Sequence, residues 1–231
     1  LTGSWDHTAI LWDVQSGQKL RTFSGHKNYV TGVAYAPDSK TILTGSWDHT
    51  AILWDVQTGQ NLRTFSGHQL GVSGVAFSPD GKTILTGSAD ETAILWDVQT
   101  GQQVYTFSGC TDIVTSVAFS PDGKSVLIGC RGLAILWDAQ TGQQLHTFSH
   151  PSAWVYSVAF SPDGKTILMG SGYTVSDALI LWDIQTGQNR PIVNAGGDDG
   201  VLSATFSPDG KTILTGGLGR AAELLDVQSE Q

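Results

Sequence analysis

The stretch Thr50-Ala51-Ile52-Leu53-Trp54-Asp55-Val56 decides how the chain is read. Close copies of it recur from end to end. Its Trp-Asp pair returns at Trp12-Asp13, Trp54-Asp55, Trp96-Asp97, Trp137-Asp138 and Trp182-Asp183, and a worn sixth copy ends in Leu225-Asp226. The intervals are 42, 42, 41, 45 and 43 residues. A fixed period of this length means one supersecondary unit repeated, each copy needing its neighbours to bury its apolar surface.

One full unit runs from Gly67 to Ser108. Val72–Ser78 reads as strand a, rich in β-branched and aromatic residues. Pro79-Asp80-Gly81-Lys82 is a turn, with Pro presetting φ and Gly supplying φ > 0. Thr83–Ser88 is strand b, Thr92–Val98 strand c and Gln103–Phe107 strand d. Strand c is apolar on both sides: Ala93 and Leu95 on one, Ile94, Trp96 and Val98 on the other. A sheet wetted on one face would alternate instead. A sheet dry on both faces needs a neighbour on each, and radial stacking supplies it. The expected fold class is all-β, a propeller of about six four-stranded antiparallel blades.

The Trp-Asp endings, the Gly25-His26 and Gly67-His68 pairs and the Ser78-Pro79-Asp80-Gly81-Lys82 type of turn resemble the WD40-repeat family over essentially the whole chain. The near-identity of copies is similar to bacterial members: Leu1–His26 matches Leu43–His68 except at Ser16/Thr58 and Lys19/Asn61. The expected blades lie near 1–24, 25–66, 67–108, 109–149, 150–194 and 195–231, in a single domain. The chain opens in a strand b and stops after a strand c, giving 22 expected strands and three-stranded first and last blades. It reads as a fragment, either a closed ring with two short blades or part of a larger ring. Either arrangement leaves an unpaired edge, a route to self-association.

Composition narrows the functions. The 231 residues carry a net charge of −9, so no overall basic footprint exists for nucleic acid or an anionic membrane. No apolar run approaches the roughly 18 residues of a membrane-spanning helix. Two cysteines are too few for a disulfide framework. An interior location, the cytoplasm, is the favoured expectation.

Asp13, Asp55, Asp97, Asp138, Asp183 and Asp226 occupy one repeated place on different blades. Acid–base chemistry needs convergent carboxylates in different environments, so these acids read as structural. His26, Ser46, Asp48 and Trp54 form a second recurring set, matched by His68, Ser88, Asp90 and Trp96. The family resemblance implies a hydrogen-bonded tetrad that locks the d–a loop to its blade rather than a hydrolase triad. The period also aligns Cys110 with His26 and His68, and Cys130 with Ser46 and Ser88. Two readings stand there: a pair of small apolar side chains, or a disulfide if the Cα atoms come within about 7 Å.

His7 and His49 sit in b–c turns without an evident third metal ligand. Asp198-Asp199 falls short of the oxygen count Ca²⁺ needs. Lys40, Lys82, Lys124, Lys165 and Lys211 follow the turn acids and read as solvated pairs. No cofactor is expected, and no metal.

What remains is a binding surface. The insertions at Gly172–Asp177 and Ala195–Gly200, and the shortening at Cys130-Arg131-Gly132, all fall in b–c and d–a connections. Variable connections of a repeat protein often gather on its binding face. Aromatic residues mark the same connections: Trp5 and Trp47 at the b–c turns, Tyr29 and Trp154 just before strand a, and Tyr156 two residues beyond Trp154. Arg131 takes the Trp47 place in a later blade. Trp, Tyr and Arg dominate binding hot spots. The expected function is a non-catalytic scaffold binding a protein or peptide there. A lectin-like glycan or small-ligand binder is the alternative, since aromatic platforms stack on sugar rings. The opposing reading is that the rings merely pack on neighbouring loops. In bacterial relatives such repeats are attached to signalling or NTPase modules, as the resemblance implies.

Overall fold

The computed structural model describes residues 1–172, 178–192, 200–217 and 222–227. No helix occurs among the described residues, which form twenty strands, all in antiparallel pairs where the register is given. The chain divides into two compact units, Leu1–Val114 and Thr115–Gln231.

The first unit holds three sheets. β1 (Thr2–Gly3), β2 (Thr8–Trp12) and β3 (Lys19–Ser24) are strands b, c and d of the first repeat. β4 (Val30–Tyr35), β5 (Thr41–Ser46), β6 (Thr50–Asp55) and β7 (Asn61–Ser66) make a complete a-b-c-d blade, as do β8 (Val72–Phe77), β9 (Thr83–Ser88), β10 (Thr92–Asp97) and β11 (Gln103–Ser108).

β12 (Val114–Phe119), which starts on the last residue of the first unit, joins β13 (Ser125–Asp138), β14 (Gln144–Phe160), β15 (Thr166–Gly172), β16 (Leu179–Asp183) and β17 (Asn189–Pro191) of the second in one six-stranded sheet. β18 (Ser203–Phe206), β19 (Thr212–Gly216) and β20 (Glu223–Asp226) form a three-stranded sheet. Twenty strands rather than 22 result because two junctions run straight through. β13 carries strands b and c as one strand across the shortened Cys130-Arg131-Gly132 connection. β14 carries strand d of one repeat and strand a of the next. Arg131 on β13 pairs directly with Trp154 on β14, which extends the ladder where other repeats have loops.

The expected two-sided burial of strand c holds. Ala51, Ile52, Leu53 and Trp54 are buried without a break, and so are Ala93, Ile94, Leu95 and Trp96. Leu43, Ala51, Leu53 and Phe65 of one blade pack against Ile84, Ile94 and Trp96 of the next. Burying one such side chain from water is worth about 1.5–3 kcal/mol, so this layer is the chief source of cohesion between blades.

Hydrogen bonds then fix the spacing of the layers. A hydroxyl on strand a reaches the following blade in repeat after repeat. Thr31 Oγ1 donates at 2.5 Å to the carbonyl of Val72. Ser73 Oγ does the same to Val114, and Thr115 Oγ1 to Val155. Further out, the Arg21 guanidinium donates to the Gln57 and Thr58 carbonyls at 2.6 and 3.0 Å, and Arg63 to those of Gln99 and Thr100 at 2.8 and 3.0 Å. Asp13, Asp55, Asp97, Asp138 and Asp183 are turn staples, as the lack of convergence implied. Asp55 Oδ1 accepts from both the hydroxyl and the N–H of Thr58, at 2.7 and 2.6 Å. These bonds from Thr58 hold its carboxyl below the ordinary value.

Such close approach leaves no room at Gly45. A Cβ there would stand 2.7 Å from the Cγ1 atoms of both Val72 and Val75 in the next blade. Gly45→Ala is expected to destabilise the protein by about 1–3 kcal/mol, the usual cost of overpacking. Gly216→Ala, where nothing lies within 4 Å, serves as the control. Equal urea-unfolding midpoints for the two variants would show that the blades are not in close register at Gly45.

Candidate functional site

Each recurring His–Asp–Trp set closes into a hydrogen-bonded relay, but its hydroxyl is not the expected one. His26 Nδ1 lies 2.8 Å from Asp48 Oδ2, and His26 Nε2 lies 2.7 Å from Thr44 Oγ1. The Trp54 indole N–H donates to that same Thr44 oxygen at 2.8 Å. The hydroxyl member is therefore Thr44, where Ser46 was expected. The second relay repeats this with His68, Asp90, Trp96 and Thr86 in place of Ser88, at 2.9, 2.8 and 2.9 Å. Residues two apart on a strand share a face, so Thr44 and Ser46 compete for the role. Thr44 wins because the strand register sets it opposite Ile52, two residues before Trp54.

Ser46 has a different task. Its Oγ donates to the Asn28 carbonyl at 3.1 Å and accepts the Asp48 N–H at 3.0 Å, so it fastens the d–a loop to the b–c turn. Ser88 does likewise with Leu70 and Asp90. With Asp48 ionised, proton direction is set: Trp54 donates to Thr44, Thr44 to His26 Nε2, and His26 Nδ1–H to Asp48. Burial alone would raise the Asp48 carboxyl. Hydrogen bonds from the Thr50 hydroxyl, the Lys27 N–H and His26 outweigh that and hold it below the ordinary value. Asp90 is lowered in the same way, by Thr92, the Gln69 N–H and His68 against burial. Burial pushes the His68 imidazole down, against the pull of Asp90. The hydroxyl and imidazole of both relays are buried, and the arrangement braces the loops.

The later blades dismantle the relay as a set. Ile128 and Met169 stand where Thr44 and Thr86 stand, in repeats that lack the Gly-His pair. The Trp182 indole nitrogen is buried with no hydrogen-bond partner among the described residues. This replacement was visible in the aligned repeats and would have singled out Thr44. Cys110 and Cys130 are both disulfide-bonded, which overturns the reading of two apolar space-fillers.

His7 and His49 are exposed turn residues with φ of 71° and 72°. No group of three His, Cys, Asp or Glu suited to a metal occurs among the described residues. Asp198 and Asp199 lie outside the described residues, as do most of the two loop insertions. Lys82 and Lys124 sit 3.7 and 4.0 Å from Asp80 and Asp122, as loose exposed pairs.

The aromatic residues of the b–c turns and d–a loops form two groups, one in each unit. In the first unit Trp5 stacks on Tyr29 with ring centroids 5.3 Å apart and planes inclined by 22°. His7 borders Tyr29 at 5.8 Å. Trp47 is tied to Tyr29 through the backbone, its main-chain N–H donating to the Tyr29 carbonyl at 2.9 Å. Its ring lies against Gly71, where a Cβ would meet the indole Cγ at 3.0 Å. Trp5 is 77% exposed, Trp47 46% and Tyr29 42%. In the second unit the Arg131 guanidinium lies 5.0 Å from the Trp154 ring centre, and Trp154 stacks on Tyr156 at 6.4 Å.

The chain matches the family model described as the IFT122 first beta-propeller over residues 48–231. It matches the WD domain, G-beta repeat model over residues 17–55. Among curated proteins it is similar to nuclear distribution protein PAC1 of Mycosarcoma maydis, 50% identical over 42 residues. That match covers 18% of this chain and 9% of the relative. PAC1-2 of Postia placenta is 51% identical over 39 residues, 17% and 9% of the two chains. Dynein assembly factor with WD repeat domains 1 of Homo sapiens is 49% identical over 35 residues, 15% and 8%. Each match spans about one repeat and under a tenth of the relative. All three relatives are eukaryotic, so the expected bacterial character finds no support in them.

The relay makes stability depend on pH. The folded His68 binds a proton less readily than the unfolded imidazole, so its contribution is complete above the ordinary value of 6.5 and shrinks as pH falls below it. Asp48 and Asp90 add a second loss as pH falls through 3.8. The thermal midpoint is expected to drop between pH 7.5 and 5.5, and His68→Asn is expected to flatten that drop. Parallel profiles for the two proteins would exclude a buried neutral imidazole. Thr44→Val orphans two buried groups at about 1–3 kcal/mol each. A loss under ~1 kcal/mol would remove Thr44 from the relay.

Proposed function

This chain belongs to the WD-repeat β-propeller family, and we propose that it is a non-catalytic scaffold that binds a protein or peptide on its b–c turns and d–a loops. The observation that carries the reading is the Trp5–Tyr29 stack with Trp47 beside it, three large rings left substantially in water. Contiguous exposed aromatic surface calls for an explanation that single apolar residues do not. Trp and Tyr are the residues that anchor hot spots.

The contrast with the rest of the blade supports this. Every other Trp-rich position in the complete blades is used for cohesion: Trp54 and Trp96 are buried and hydrogen-bonded. A relay stiffens the connections that carry Tyr29 and Trp47, since Asp48 ties the Lys27 N–H to the turn following Trp47. Rigid presentation lowers the ordering cost of binding. The relatives' names place them in nuclear distribution and dynein assembly, contexts consistent with a scaffold. A glycan is the second reading, favoured by the flat outer face of Trp5.

The test is a random-peptide display selection on the protein, counter-selected on the Trp47→Ala/Tyr29→Ala double variant. Peptides that bind the parent and lose about 2 kcal/mol or more on the folded double variant are the expected result. If the selected peptides hold both proteins equally, the loops are not the binding surface. A glycan-array signal lost in the double variant, with no loop-dependent peptide, would favour the lectin-like reading.

A further inference from the structure

Three cross-blade pairs occupy one repeated position: a b–c turn residue and the residue just before the next strand a. The first is Trp5 with Tyr29, a ring on a ring. The second is Trp47 with Gly71, a ring against bare backbone. The third is Arg131 with Trp154, a guanidinium over an indole at 5.0 Å. In the two end pairs each side chain has a partner side chain, although Trp5 stays 77% exposed. In the middle one the partner has no side chain: Trp47 lies against Gly71 and stays 46% exposed.

We propose that the open face of the Trp47 indole takes the guanidinium of an arginine carried by a basic peptide. The inference rests on the scaffold reading above and names the partner's chemistry. The chain itself displays the contact, for Arg131 on Trp154 is a guanidinium over an indole built from its own residues at the equivalent pair, with the two positions exchanging roles. An indole is the strongest of the aromatic faces for a cation, and the planar guanidinium stacks where an ammonium cannot.

Charge around the site agrees. The b–c turns and d–a loops of the first unit carry Asp6, Asp48, Asp90, Glu91 and Asp112 against Lys27 alone, counting His as neutral. Asp6 stands beside Trp5 in the first of these turns, fully exposed and held ionised by its bonds from Thr8. Glu91 is held in the left-handed region at φ 69° in the third turn. An acidic rim draws a basic segment in and excludes acidic ones. The ring then distinguishes arginine from other cations.

Three blocked five-residue peptides, alternating glycine with arginine, lysine or citrulline, are titrated into the whole chain by calorimetry and Trp fluorescence. The arginine peptide is expected to bind at least about threefold more tightly than the lysine peptide, the gain of an exposed cation–π contact. Citrulline, planar but uncharged, is expected to be weakest. Trp47→Leu keeps apolar volume and removes the π face, and is expected to bring arginine down to the lysine level. Trp47→Phe keeps a ring and is expected to retain part of the preference. Equal binding of arginine and lysine, or a preference surviving Trp47→Leu, overturns the proposal. If display selection yields loop-dependent peptides without arginine, only this inference fails. If it yields none, the scaffold reading fails with it.

Discussion

A sheet that is dry on both faces must be covered twice, and this requirement governs the complete blades of the chain. Strand c shows it most plainly, since Ala51 to Trp54 are buried without interruption. The cover comes from the neighbouring blade, whose Ile84, Ile94 and Trp96 meet Leu43, Leu53 and Phe65. Hydrophobic burial is not directional, so it brings blades together without fixing their spacing. The fixing falls to small and polar groups. Gly45 lets Val72 and Val75 come within touching distance, and the Thr31 hydroxyl then reaches the Val72 carbonyl. Ser73 and Thr115 repeat that bond in their own repeats. Stability is thereby shared between neighbours, as nearest-neighbour repeat proteins require.

The relays belong to the same logic. A Trp at the end of strand c supplies packing area but brings an indole N–H into the dry layer. Leaving that group unpaired is expensive, and Thr44 answers it. The Thr hydroxyl then needs an acceptor, which His26 provides, and the imidazole needs Asp48. Each member satisfies the one before it until the last reaches a turn where Thr50 and Lys27 complete the carboxylate. A core requirement is thus passed outward to the loops, which become rigid as a consequence. The same rigidity holds the connections that carry Tyr29 and Trp47.

Much of this was legible in the sequence. The period of the Trp-Asp pairs gave the repeat, and the unbroken apolar run of strand c gave the two-sided sheet. Burial confirmed both. The identity of the relay hydroxyl was not legible from spacing, because Thr44 and Ser46 lie on the same face of one strand and only the register chooses between them. The fusion of strands at β13 and β14 was likewise hidden. A one-residue shortening at Cys130-Arg131-Gly132 reads as a smaller loop, whereas the backbone continues the ladder through Arg131 and Trp154. The cysteines show the same limit. Alignment placed them at relay positions but left open whether they bond, which is a question of distance in three dimensions.

Repetition explains structure well and function poorly, because whatever every blade shares is needed by every blade. Information about a partner must lie where the copies break their own rule. The position filled by Trp5, Trp47, Ala89 and Arg131 breaks it in a connection rather than in a strand. Its partner position varies in step, through Tyr29, Gly71, Ile113 and Trp154. Two of these pairs are satisfied within the chain, by stacking or by a cation over a ring. Trp47 against Gly71 is satisfied on one side only. A large aromatic residue left half in water contributes little to stability beyond its buried half, although the fold has buried every such residue in strand c of the complete blades. The asymmetry between Trp54 and Trp47, seven residues apart in one blade, is where the demands of cohesion end.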